Sequence, residues 1–181
     1  MSANTELTLI TRATSFACEA HSTHRRKGAA AEPYVNHLAE VAMLLARFGA
    51  DANLIAAGYL HDTLEDTVVT FADLRQAFGA DIAGLVLCAT DDDALPRSLQ
   101  KQRQVEGAPQ LPARAQQLRV CDKISNLRAI GVSPPTGWST TRKVEYFQWA
   151  KRVVGGCHLA GSEMTDLFEE TYLEGIGLIA G

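Results

Sequence analysis

The chain has 181 residues, of which 46% are hydrophobic and 21% charged, and its formal net charge is −4. That length and balance describe an ordinary globular protein with enough apolar material for a sizeable core. The acidic balance argues against nucleic acid as a partner, and no run approaches the roughly 18 apolar residues that a membrane-spanning helix needs.

In chain order, Met1-Ser-Ala-Asn-Thr-Glu6 lacks the charged-then-apolar pattern of a secretory signal. His21 and His24 follow, and sequence position alone places both at the surface. Arg25-Arg26-Lys27 is a basic cluster of the kind that is ordinarily a solvated face, yet it lies ten residues before His37. His37 opens an amphipathic helix reaching Phe48, with Gly49 as its C-terminal cap. A run of Leu54, Ile55, Ala56, Ala57, Tyr59 and Leu60 predicts a buried helix leading into His61-Asp-Thr-Leu-Glu-Asp-Thr67. Thr70-Phe-Ala-Asp73 reads as a helix start. Gly79 ends that helix, and Asp81 caps the next, which carries Ile82, Leu85, Val86 and Ala89.

Residues 105–113 and 131–138 read as loops, separated by a helix that sets Asp122 among apolar residues of the segment Leu118–Arg128. Trp149 lies on the apolar face of a later helix beside Phe147, while His158 follows Gly155-Gly156-Cys157 in a loop and receives no role. Ser162-Glu-Met-Thr165 begins the last helix. Gly175-Ile-Gly177 is not a dinucleotide fingerprint, and there is no Gly-Lys-Ser/Thr phosphate loop. All six prolines fall between periodic segments, where they do no harm. With no sustained two-residue alternation and no repeat, the expectation is an all-α bundle of eight or more helices in a single domain, 1–181. Cys18, Cys88, Cys121 and Cys157 are far apart and form no Cys-x-x-Cys. They read as small core residues of a protein in the reducing cytoplasm.

The chemistry concentrates at residues 61–67, where one imidazole and three carboxylates follow a buried helix. Burying such groups is costly unless they are paired or hold a metal. His61 and Glu65 are four apart, as are Asp62 and Asp66, so each pair shares a helical face. The adjacent His61-Asp62 offers a nitrogen and an oxygen to a divalent cation. Glu65 and Asp66, one turn further on, would orient or deprotonate a water beside it. His37 and Asp122 complete a candidate two-His, two-Asp set. That mixed donor set suits manganese, iron or zinc. A lone His-Asp pair is more often a capped helix end; the other four residues reverse that weighting.

The ordered His…His-Asp…Asp series resembles the HD phosphohydrolase superfamily. The strings His61-Asp-Thr-Leu-Glu-Asp66 and Asp122-Lys-Ile-Ser-Asn-Leu-Arg128 resemble the hydrolase domain of Rel/Spo-type alarmone enzymes. So do Arg25-Arg-Lys-Gly28, Pro33-Tyr-Val-Asn-His37, Thr90-Asp-Asp-Asp-Ala-Leu-Pro96 and Gly137-Trp…Arg142…Glu145-Tyr-Phe147. The resemblance spans residues 5 to 173, and it is nearest to the stand-alone small hydrolases, including the metazoan type. It implies an HD-type helical bundle and a Mn²⁺-dependent 3′-pyrophosphohydrolase of guanosine tetra- and pentaphosphate, with Zn²⁺ or Fe²⁺ as alternatives.

By the same resemblance Arg26 and Lys27 would contact the guanosine moiety, with Asn126 and Tyr146 near the nucleoside. Arg97 and Arg142 would face the distal phosphates, His21 would support the site, and Lys123 would support the Asp122 segment. The sequence departs from the family pattern at Asp93, at Glu32 and at Ala29-Ala30-Ala31, with every ligand and catalytic carboxylate in place. Two alternatives stand beside this reading: another phosphorylated nucleotide such as NADPH as substrate, or a catalytically silent nucleotide sensor. Intact Glu65 and Asp66 disfavour the sensor. Oligomeric state is not specified by the sequence.

Overall fold

The helical periodicity is realised in most of the described residues. The computed structural model describes residues 3–180, and these form nine α-helices and one short 3₁₀ helix with no strand among them. Packing divides the chain into two compact units, one of residues 3–24 and 33–93, the other of Arg25–Glu32 and residues 94–180.

The first unit holds α1 (Ala3–Ala20), α2 (Val35–Arg47), α3 (Ala52–Leu60), the single turn α4 (Thr63–Asp66) and α5 (Phe71–Ala89). Helix α3 is its axis, packed against α1, α2 and α5. Asp51 starts α3 by accepting a hydrogen bond from the Leu54 amide at 2.9 Å. Its interior buries Leu54, Ala56, Ala57 and Leu60 against Leu38, Val41, Leu44 and Leu45 of α2. Each such leucine contributes about 1.5–3 kcal/mol.

Gly58 is what lets α2 and α3 approach. A Cβ there would lie 2.8 Å from Leu45 Cδ1 and 3.1 Å from the Ala42 Cα. Helix α2 ends where expected, with Gly49 at φ +75° and the Ala50 amide bonded back to the Leu45 carbonyl. Helix α5 opens with a reciprocal Thr70–Asp73 capping box. It is broken at Gly79 (φ 87°, ψ 169°), and the Asp81 carboxylate accepts a hydrogen bond from Asn53 at 2.8 Å.

The second unit holds α6 (Arg97–Gly107), the 3₁₀ turn Ala108–Gln110, α7 (Ala113–Val132), α8 (Thr140–Gly155) and α9 (Ser162–Ala180). Helix α9 packs along α7 and α8, and α6 packs on α8. Gly175 is required by its neighbour, since a Cβ there would lie 2.3 Å from the Phe147 ring.

Residues 105–113 correct the expected loop, because most of them are helical. Pro109 occupies the first turn of the 3₁₀ helix and Pro112 the cap of α7. In those positions a missing N–H costs nothing. Buried Gln116 ties the connection down, donating to the Leu111 carbonyl at 2.9 Å and accepting from the Leu159 amide at 2.7 Å. No helix among the described residues is long and apolar enough to cross a membrane.

Candidate metal centre and nucleotide-binding groups

The first unit brings His37, His61 and Asp62 together. His37 lies in the first turn of α2, and His61 is the residue on which α3 ends. The sequence placed His61 to Asp66 in one continuous helix. Instead the helix pauses at His61-Asp62 and resumes as α4, with both residues still near helical angles. The Thr63 hydroxyl spans the pause by donating to the Leu60 carbonyl at 2.6 Å.

Asp62 Oδ2 lies 3.1 Å from His61 Nε2 and 3.5 Å from His37 Nε2, and both imidazoles are buried. His61 Nδ1 is 2.9 Å from the Gly58 carbonyl. A carbonyl can only accept, so Nδ1 carries a proton and Nε2 is left to face the carboxylate. In the metal-free protein protonated imidazoles answer this carboxylate, and once deprotonated the same mixed N/O donors fit a divalent metal. Burial works to raise the Asp62 carboxyl, but the charge of His61 and hydrogen bonds from His37 and His61 hold it well below the usual carboxylate range.

The two catalytic candidates separate here. Glu65 is half-buried and accepts a long 3.3 Å hydrogen bond from the Asp91 amide, whereas Asp66 is exposed. Burial first, then the neighbouring Asp62 charge, pushes the Glu65 carboxyl up to about 7. A carboxyl so placed can exchange a proton near neutrality.

His21 corrects a second expectation. It is buried rather than at the surface, 2% exposed, and burial pushes its pKa down to about 4 against the opposing pull of Asp62. Its ring stacks on Tyr34 with centroids 5.2 Å apart and planes 17° off parallel. Tyr34 in turn donates its hydroxyl to Asp62 Oδ2 at 2.8 Å. Sequence reasoning assigned Tyr34 no role, although its place three residues before His37 puts it on the same side of the helix start.

The second unit carries the remaining predicted residues. Asp122 on α7 is held at both oxygens, Oδ1 by Asn126 at 2.6 Å and Oδ2 by the Lys123 ammonium at 2.9 Å. Arg26 donates to Asn126 Oδ1 at 2.9 Å, so Arg26, Asn126 and Asp122 form one chain of hydrogen bonds. Lys27 is exposed, and its carbonyl accepts from the Thr136 amide.

Tyr146 packs between Trp138 and Trp149, with centroids at 5.6 and 5.1 Å. Arg142 lies over the Trp138 ring at 4.6 Å, and Arg97 is exposed in the first turn of α6. Lys101, which the sequence did not single out, sits 4.9 Å from the Trp149 centroid and 5.5 Å from that of Tyr146. Burial lowers its pKa, and the nearby positive charge of Arg142 adds to this. Its spacing of four from Arg97 was the available signal. His158 lies in a turn after α8, as expected for a loop residue. Trp149 is buried and donates its indole N–H to the Lys101 carbonyl at 3.1 Å, an anchor rather than an open stacking platform.

Helical architecture, paired buried imidazoles and an adjacent carboxylate define the class. A family model described as HD domain matches residues 13–146, and the chain belongs to that family. Membership implies a divalent metal, and the buried imidazoles with the Asp62 carboxylate are a candidate site for it.

Among similar proteins, the zebrafish (Danio rerio) guanosine-3′,5′-bis(diphosphate) 3′-pyrophosphohydrolase MESH1 is 39% identical over 162 residues, 88% of this chain and 90% of that one. The human (Homo sapiens) protein of the same name is 36% identical over 169 residues, 92% of this chain and 94% of its own. The solved structure of a metazoan orthologue of SpoT, described as hydrolysing ppGpp and acting in starvation responses, matches with a TM-score of 0.88. It is 34% identical, and the match covers 96% of each chain.

Proposed function

We propose that the protein removes the 3′-pyrophosphate of guanosine tetra- and pentaphosphate, giving GDP or GTP and pyrophosphate, and that both compact units serve one hydrolase domain. The observation that carries this is the pair of buried imidazoles turned on the Asp62 carboxylate, in a chain similar over nearly its whole length to hydrolases of this nucleotide. We assign His37, His61, Asp62 and Asp122 as the metal ligands and Mn²⁺ as the metal.

When bound, such a cation supplies Lewis acidity to a phosphoryl oxygen and to a water molecule. The rest falls to the side chains. His61 keeps its donor nitrogen ready because Nδ1 is committed to the Gly58 carbonyl. Glu65, lifted toward neutrality, takes the proton of the attacking water, and exposed Asp66 orients that water. Arg26 and Lys27 hold the guanosine moiety; a guanidinium stacks on a base while its donors reach phosphate. Asn126 and Tyr146 line the nucleoside, while Arg97 and Arg142 neutralise the distal phosphates. A polyanionic nucleotide and thiols suited to a reducing compartment support a cytoplasmic location.

Chelation should abolish pyrophosphate release, and Mn²⁺ should restore it better than Mg²⁺, since imidazole ligands suit manganese better than magnesium's water-rich octahedron. Pyrophosphate and orthophosphate release from a panel of nucleotides, with and without chelator, checks both points. Full activity in excess chelator would overturn the assignment.

A further inference from the structure

We propose that Tyr34 is a positioning residue for the Asp62 carboxylate, with His21 fixing the tyrosine in place; this rests on the reading of Asp62 as a metal ligand. The tyrosine hydroxyl donates to Asp62 Oδ2 at 2.8 Å, the same oxygen that faces His61 Nε2 at 3.1 Å and His37 Nε2 at 3.5 Å. A carboxylate oxygen has two lone-pair directions. With the phenol O–H along one, the other is aimed at the space between the imidazoles.

The phenol can do this only if its ring is immobile, and four contacts immobilise it. His21 stacks flat on one face at 5.2 Å. His24 meets the ring edge-on at 6.4 Å, and His37 does so at 5.6 Å. The Tyr34 amide donates to the His24 carbonyl at 3.1 Å. His21 is in turn held through Nδ1, 3.0 Å from His24 Nδ1, and its buried Nε2 meets no hydrogen-bond partner among the described residues.

A buried histidine with an unused nitrogen carries a desolvation cost that a phenylalanine would not. Its return here is a ring stacked on the tyrosine and tied by a hydrogen bond to the 21–24 turn. Groups that orient a metal ligand from behind are worth about 10–100-fold in metal affinity.

The experiment uses metal-stripped protein and Mn²⁺ alone, followed by isothermal titration calorimetry, with Tyr34→Phe as the variant. Phenylalanine keeps the ring and its stacking but lacks the hydroxyl. A role in packing alone would leave Mn²⁺ affinity unchanged. The inference expects the Mn²⁺ Kd to rise about 10–100-fold, with the melting temperature of the metal-free protein unchanged. In steady-state assays the Mn²⁺ concentration for half-activation should rise in parallel, with the nucleotide KM at saturating Mn²⁺ unmoved. His21→Ala, which frees the ring, should raise the Mn²⁺ Kd in the same direction by a smaller factor.

His61→Ala serves as the control for the metal site itself. If it loses Mn²⁺ while Tyr34→Phe binds as tightly as the parent, the positioning role is wrong and the metal site stands. If His61→Ala binds as tightly as the parent, the metal assignment fails and takes the tyrosine's role with it.

Discussion

Burial lifts the Glu65 carboxyl to about 7, and this one residue links catalysis to stability. In its proposed role of proton acceptor it should be the more demanding of the two acids. Glu65→Gln keeps shape and hydrogen bonding but cannot take the proton. We expect kcat to fall about 10²–10⁴-fold with metal content and substrate affinity retained, read from initial rates and metal analysis. Loss of the metal in this variant would make Glu65 a ligand instead.

The same raised pKa gives a stability signature in the metal-free protein. The folded value of about 7 lies above the ordinary 4.5, so the folded state binds the proton more tightly than the unfolded one. The stability from this group is fully present below about 4.5 and is lost as pH rises through about 7. Denaturant midpoints of the metal-free protein should therefore decline across that window, and Glu65→Gln should flatten the decline. The meeting of His37, His61 and Asp62 was legible in the sequence, because ionisable residues clustered after an apolar run must be paired or bound to a cation to be buried at all. The burial of His21 and the reach of Tyr34 to Asp62 were not legible. Both depend on a turn at residues 21–24 whose path no local periodicity encodes.

At the level of elements, Gly58 sets how closely α2 and α3 approach, and hence how His37 meets His61. Gly58→Ala would force a methyl group to within 2.8 Å of Leu45 and 3.1 Å of the Ala42 backbone. The flexible leucine can yield, but the Ala42 Cα cannot without parting the helices. Overpacking of this kind costs about 1–3 kcal/mol, partly offset by the better helix propensity of alanine, about 1 kcal/mol. We expect a lowered melting temperature together with weakened metal binding, measured by calorimetry; an unchanged metal Kd would show that the helix spacing is not what sets the imidazole pair.

The helices themselves were readable from capping and periodicity, as the Thr70–Asp73 box and the Gly49 and Gly79 breaks show. Residues 105–113 were misread as a loop because two prolines and a glycine ordinarily break helices. Here both prolines fall in first-turn or cap positions, where they are tolerated.

For the molecule as a whole, the proposed activity runs in one direction. The relatives named as hydrolases match this chain over about nine-tenths of their own lengths. Incubation with ATP and GDP should give no guanosine tetraphosphate under any metal condition. Its appearance on chromatography would require a second active centre. The all-α class followed from the absence of any two-residue alternation, which only strands need. The division into two compact units did not follow, because Arg25–Glu32 leaves its sequence neighbours to join residues 94 onward, and such long-range pairing leaves no local trace.

Trp149 lies beneath two ammonium groups, Lys123 at 4.5 Å and Lys101 at 4.9 Å from its ring centroid, and Trp138 lies beneath the Arg142 guanidinium at 4.6 Å. A cation held over an aromatic face interacts with its electron cloud, so both indoles report on charges that the proposed polyanionic substrate is expected to displace. The protein thereby carries its own optical probe. Adding guanosine tetraphosphate to metal-free protein, where nothing is cleaved, should shift the intrinsic emission saturably, and Trp138→Phe should leave the part that belongs to Trp149. An emission spectrum indifferent to saturating nucleotide would mean that these cations look elsewhere.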